Sequence, residues 1–236
     1  MAKLAQMFQK EPTRNAMGRS GVWDGALHAG QPVLTSGLTA GTQVATQNGW
    51  RDVESLQVGD KVLTFDAGLQ PVRRLSRSWT YVDYGTAPRH TWPLCVPAGA
   101  LGNKTELHLL PEQSVMVESD AGETMFGDPF TLVPAQALDG YKGIAPERPR
   151  KPMEVVTLEF DTEQVVFANV GALFHCPAPA ELTMASLMED HPVPGYDVLS
   201  LAQARRFIDR LMDEDALDAA WIKQERQSRQ PLRYAN

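Results

Sequence analysis

Residues 35–63 read TSGLTAGTQVATQNGWRDVESLQVGDKVL. Within that stretch Asn48-Gly49 stands between Val44-Ala45-Thr46 and Trp50-Arg51-Asp52-Val53, and both turn residues tolerate positive φ, so the pattern predicts a tight β-hairpin. Gly59-Asp60 breaks the chain again before Val62-Leu63-Thr64 and Phe65, and a turn at Gly68 sends a further strand through Val72. Strands this close leave no room for the dozen or so residues a parallel crossover needs, so their pairing is antiparallel.

The same texture continues outward to Cys176. Val115-Met116-Val117 reads as a strand followed by a turn at Asp120-Ala121-Gly122. In MEVVTLEFDTEQVVFANV, residues 153–170, Val156, Leu158 and Phe160 alternate with Val155, Thr157 and Glu159 before Asp161-Thr162-Glu163 turns into Val165-Val166-Phe167. Period-two patterning without intervening helical stretches predicts a mainly β body.

The two ends read differently. Residues 1–32 mix Gly, Pro, Asn and Gln with isolated apolar residues; they are expected to form a helical turn near Leu4 to Gln9 and then an extended arm that Trp23 and Leu27 anchor on the domain or a partner. Ser200 with Gln203 forms a capping box ahead of Leu201, Ala204, Ile208 and Leu211, which predicts a helix over about 200–212. Asp213-Glu214-Asp215 suits the N-terminus of a second helix with Leu217, Ala220 and Trp221 as its apolar stripe. A helical hairpin or one kinked helix is expected, packing on an edge of the β body or offering Trp221 to a partner.

Composition narrows the function classes. The chain of 236 residues carries 22 Lys and Arg against 29 Asp and Glu, and the excess acid falls in the middle, where residues 33–198 hold 11 basic and 21 acidic side chains. A phosphate-tracking surface needs the opposite balance, so no nucleic-acid partner is expected. Lys223, Arg226, Arg229 and Arg233 near the end read as a solvated tail. The two cysteines, Cys95 and Cys176, and the five histidines show no metal-ligand spacing, so neither a metal nor a cofactor is expected. No signal-peptide core and no apolar run of about 20 residues is found, which leaves a cytoplasmic location as the default and no membrane partner.

GLTAGTQVATQNGWRDVESLQVGDKVLTFDAGLQPVRRLSR, residues 37–77, resembles the first block of the hedgehog and intein autoprocessing domains, the Hint family, and its bacterial branch in particular. Gly41-Thr42, Val53-Glu54-Ser55-Leu56, Gly59-Asp60 and Val62-Leu63-Thr64 carry that resemblance, and VPAGALGN (96–103), LLPEQSVMV (109–117), FTLVPAQAL (130–138) and 153–175 resemble later blocks in order. The resemblance implies a Hint-type horseshoe of short antiparallel strands over residues 37–180. Residues 1–36 are then an N-terminal arm, and 181–236 a linker with a C-terminal helical extension.

Active members of that family use a cysteine to attack the carbonyl before it and a histidine to protonate the leaving amide. Thiolate chemistry suits the first task and general acid catalysis the second. Counting back from Gly41, the cysteine position is Gly37; within Leu110-Pro111-Glu112-Gln113 the histidine position is Gln113. Neither residue can do the family's chemistry, which implies an inactive domain that binds or assembles with another protein, by strand addition or by docking the arm. Restoring both residues, Gly37→Cys with Gln113→His, is then expected to awaken cleavage. The alternative is self-cleavage by Ser36 with His108 or His175 as the acid, although His175, in LFHCPAP, also suits a structural hydrogen bond at the exit of the last strand. No triad, phosphate loop or carboxylate pair supports a small-molecule enzyme.

Overall fold

The computed structural model describes residues 32–178 and 195–228. Its strands are β1 (Leu38–Thr39), β2 (Gln43–Thr46), β3 (Gly49–Asp52), β4 (Lys61–Thr64), β5 (Gly68–Pro71), β6 (Arg74–Thr80), β7 (Leu94–Val96), β8 (Leu107–Leu109), β9 (Ser114–Glu118), β10 (Phe130–Pro134), β11 (Ala145–Pro146), β12 (Met153–Glu159), β13 (Gln164–Ala168) and β14 (Ala172–Cys176). Two helices join them, α1 (Asp120–Phe126) and α2 (Leu201–Ser228). The expected arm residues Trp23 and Leu27 lie outside the described residues.

All the paired strands run antiparallel, in a sheet ordered β11-β7-β8-β1-β12-β6 and a larger one ordered β10-β9-β14-β13-β2-β4-β5 with β3 on β2. Strand β13 pairs with β2 through Ala168 and Val44 and with β4 through Val166 and Thr64, which curls the larger sheet into a half-barrel. Val44, Val53, Leu56 and Val62 of the opening stretch, and Val72 just beyond it, are fully buried in the main core. Burial of each such side chain contributes about 1.5–3 kcal/mol.

The hairpin forms one residue out of step with an Asn-Gly turn. Thr46 pairs with Gly49, so Gln47 and Asn48 make the loop and Gly49, at φ 92°, opens the returning strand. Thr46 Oγ1 accepts from Asn48 N at 3.2 Å and donates to Gly49 O at 2.7 Å, which closes the turn. Gly59-Asp60 ties the next strands: Gly59 N donates to Val72 O at 2.8 Å, and Asp60 Oδ2 accepts from Arg51 Nη1 and Gln57 N, both at 2.9 Å. Gly41 N donates to the Glu54 carboxylate, and Val53 N donates to Thr42 O at 2.8 Å. The motif residues Gly41, Thr42, Gly59 and Asp60 therefore staple β2–β5 of the larger sheet together.

Two expectations change. Residues 120–126 are a helix and not a turn, because Ser119 Oγ accepts from Gly122 N at 3.0 Å and Gly127 closes the other end in the left-handed region. Helix α2 runs unbroken through Asp213-Glu214-Asp215. No glycine or proline interrupts it there, and an Arg210–Glu214 ion pair at 3.0 Å spans the expected break. Its first half packs through Ala204, Phe207, Ile208 and Leu211, and the capping box forms, with Ser200 N donating to Gln203 Oε1 at 3.1 Å. Leu217 and Trp221, expected as a packing stripe, are 68% and 64% exposed. No described helix is long and apolar enough to cross a membrane.

Candidate functional site

The chain enters the body at residues 33–37, where Val33 and Leu34 pack against a cluster of Tyr81, Leu110 and Val155. This pocket sits on the opposite side of β12 from the main core, because Val155 points away from Val156 and Leu158. Three contacts then grip the backbone in succession. Leu34 N donates to Thr80 Oγ1 at 2.8 Å, Glu112 N donates to Thr35 O at 2.7 Å, and Gly37 N donates to Gln113 Oε1 at 3.1 Å. A second bond from Thr35 Oγ1 to Glu112 Oε2, 2.5 Å long, reinforces the middle grip.

Gln113 is 3% exposed, and both the nitrogen and the oxygen of its amide are engaged in hydrogen bonds. Its Nε2 donates to Ser114 O at 3.0 Å and to His175 O at 2.8 Å, which leaves Oε1 to face Gly37 N. Two carbonyls on one side and an N–H on the other admit only this orientation of the amide. The backbone of the same turn is fixed by Gln113 N donating to Leu110 O at 3.0 Å and Ala135 N donating to Gln113 O at 2.9 Å. The peptide nitrogen between Ser36 and Gly37 thus meets an acceptor, where acid-assisted cleavage needs a donor.

Gly37 has φ 114°, a conformation that side-chain-bearing residues rarely adopt. A Cβ added there would stand 2.5 Å from Val155 Cγ1 and 3.4 Å from Thr157 Oγ1. Valine is stiff at χ1, so the neighbour cannot swing clear. The site has therefore closed around a residue without a side chain, and the expectation that Gly37→Cys with Gln113→His simply restores cleavage is corrected by this geometry.

Ser36 is exposed, and no hydrogen bond joins it to a histidine among the described residues. His108 Nε2 lies 3.3 Å from Glu147 Oε2, and its own carbonyl accepts from Thr39 Oγ1 at 2.9 Å. His175 is buried, with Nε2 3.0 Å from Glu163 Oε2 and its ring edge-on to Tyr196. Glu163 Oε1 also accepts from Tyr196 N, and the Tyr196 hydroxyl bonds Asp66, so His175 belongs to a network that fastens the segment leading into α2. Thr80 and Glu112 are site residues that sequence reasoning missed. Glu112 adjoins Gln113 and was within reach of it, whereas Thr80 lies 46 positions from Leu34 with no local signal.

The thiols lie elsewhere. Burial pushes Cys176 up from 9.0 to about 12. Burial, then Glu106, then Glu147, push Cys95 up as well. The raised value at Cys176 favours the neutral thiol in the folded state, so its stabilisation is complete below about pH 9 and is lost as pH rises towards 12. The Tyr81 phenol, also raised by burial, acts in the same direction. Urea midpoints are expected to fall between pH 9 and 11, and Cys176→Ala to flatten that fall by up to about 1.4 kcal/mol per pH unit. A slope unchanged by that substitution would assign the loss to other groups. Of the described residues, Cys95, Glu106 and His108 bring ligand atoms within 4.8 Å of one another, a set that could hold a metal.

A curled antiparallel half-barrel that grips a segment of its own backbone ahead of its first strand defines a class of domain. The chain belongs to the Hint domain family, whose model matches residues 36–174. Among solved structures it is similar to a bacterial intein-like domain from Clostridium thermocellum, at 18% identity over 59% of this chain and 98% of that one, with a TM-score of 0.43. It is also similar to the gp41-1 intein, at 18% identity over 59% of this chain and 97% of that one, with a TM-score of 0.38. No curated protein matches the chain.

Proposed function

We propose that this chain is a catalytically silent Hint domain that serves as a protein-binding or assembly module. The observation that carries the first half is the bond from Gly37 N to Gln113 Oε1. An amide leaves only when its nitrogen gains a proton, and a glutamine oxygen accepts a hydrogen bond without delivering one. Gly37 supplies no nucleophile, and the two histidines that could assist Ser36 are each held by a carboxylate. The grip on residues 34–37 therefore stabilises an uncut chain.

The binding half is supported by the outer part of α2. Leu217 and Trp221 are spaced to share one helical face, and both are largely exposed, whereas Ala204, Phe207, Ile208 and Leu211 of the inner turns are buried. Intact-protein mass spectrometry of freshly made chain is the test of silence. A single species at 26.0 kDa is expected, with or without hydroxylamine or thiol. Fragments of about 36 and 200 residues would instead establish cleavage near Ser36. For binding, a photo-crosslinker placed at Trp221 in the native cell is expected to capture a discrete adduct that the same group at exposed Arg205 does not. Equal labelling from both positions would remove the case for this face.

A further inference from the structure

Strands β7 and β8 place Cys95 directly opposite His108, and Glu106, in the residue just before β8, brings its carboxylate to the same cluster. We propose that Cys95, Glu106 and His108 bind a divalent transition-metal ion of the zinc class, with three protein donors and one coordination position open to the adjoining cleft. A thiolate, an imidazole and a carboxylate form a donor set that zinc accepts and that magnesium and calcium, which prefer oxygen alone, do not. Their ligand atoms lie within 4.8 Å of one another. Tetrahedral zinc with bonds of about 2.0–2.3 Å needs donors roughly 3.5 Å apart, which side-chain rotation can supply.

Two further observations point to a cation. Glu147 Oε2 stands 3.3 Å from His108 Nε2, the kind of carboxylate partner that orients a metal-binding imidazole. Its competing contact with Arg150 is longer, at 4.0 Å, and that arginine is 87% exposed, so it contributes little. The adjoining cleft, of about 890 Å³, is also lined by Glu154. Glu154 is 6% exposed, and its Oε1 has no hydrogen-bond partner among the described residues. Glu106, Glu147 and Glu154 thus line one cleft with His108, alongside Arg148, Arg150 and Lys151, and Glu154 brings an unpartnered buried oxygen to it. Sequence spacing hid the set because its members come from two strands and are brought together only by pairing.

The test uses the full chain, stripped with a chelator under reducing conditions and titrated with zinc by calorimetry and with cobalt by absorption spectroscopy. One ion per chain is expected, with a thiolate-to-cobalt charge-transfer band. Cys95→Ser is expected to abolish the band and weaken zinc binding more than about ten-fold, Glu147→Gln to weaken it about 10–100-fold, and Cys176→Ser to leave it unchanged. Glu106→Gln, at an exposed position, provides a second ligand variant whose fold is checked by near-ultraviolet circular dichroism. Absence of saturable binding, binding indifferent to Cys95→Ser and Glu106→Gln, or magnesium bound as tightly as zinc would each overturn the proposal.

Discussion

Gly37→Ala is expected to lower the unfolding free energy by about 2–5 kcal/mol, read as a shift in urea midpoint with little change in slope. About 1–2 kcal/mol comes from forcing a β-carbon into the conformation at φ 114°. A further 1–3 kcal/mol or so comes from overpacking against Val155 Cγ1, 2.5 Å from where that carbon would stand. The two sources separate in a double-mutant cycle, since Val155→Ala removes the collision and leaves the backbone strain. A favourable coupling of roughly 1 kcal/mol is expected between the two substitutions. It follows that Gly37→Cys with Gln113→His leaves the chain intact by mass, and that cleavage, if it can be revived, also needs a smaller residue at 155. A Gly37→Ala midpoint within experimental error of wild type would contradict the described packing.

Gln113→Leu is the second large effect, with an expected loss of about 2–4 kcal/mol. Leucine nearly fills the same volume, so the loss is polar: Gly37 N and Ser114 O, both part-buried, and the buried His175 O each give up a partner. A buried group left unsatisfied costs about 1–3 kcal/mol, and the total is held below three such penalties because carbonyl oxygens retain a second lone pair. Hydrogen exchange distinguishes this account from a general loosening. The Gly37 amide is expected to lose its protection in the variant, while amides of β4 and β5, on the far edge of the larger sheet, keep their relative order. Uniform acceleration across all strands would mean that Gln113 acts on the whole fold and not on the entering segment.

Much of the architecture could be read because it is written in short-range pattern. Val44, Val53, Leu56, Val62 and Val72 announce buried positions between turn residues, and the alternation of residues 153–170 marks a strand pair without ambiguity. The positions of Gly37 and Gln113 could be read by counting along the blocks. What they do together could not, since the Oε1 that meets Gly37 N is oriented by carbonyls at 114 and 175, the second of them 62 positions away. Asp120-Ala121-Gly122 read as a turn because one serine before it and one glycine within it fit either outcome, and the left-handed Gly127 that settles it lies five residues on from Gly122. Asp213-Glu214-Asp215 misled for the converse reason, since acidic residues favour a helix start but do not end the helix they follow. Burial at Leu217 and Trp221 failed as an expectation because an amphipathic stripe states which face is apolar and not whether the body extends far enough to cover it.

The successive holds on Leu34, Thr35 and Gly37 have a mechanical consequence. Tension arriving along the backbone at residue 32 is passed into β6, into the Leu110-Pro111-Glu112-Gln113 turn and into β1, which share the load before any core strand must part. On the proposed silent reading, whatever lies upstream of that point stays attached, and these holds carry its load.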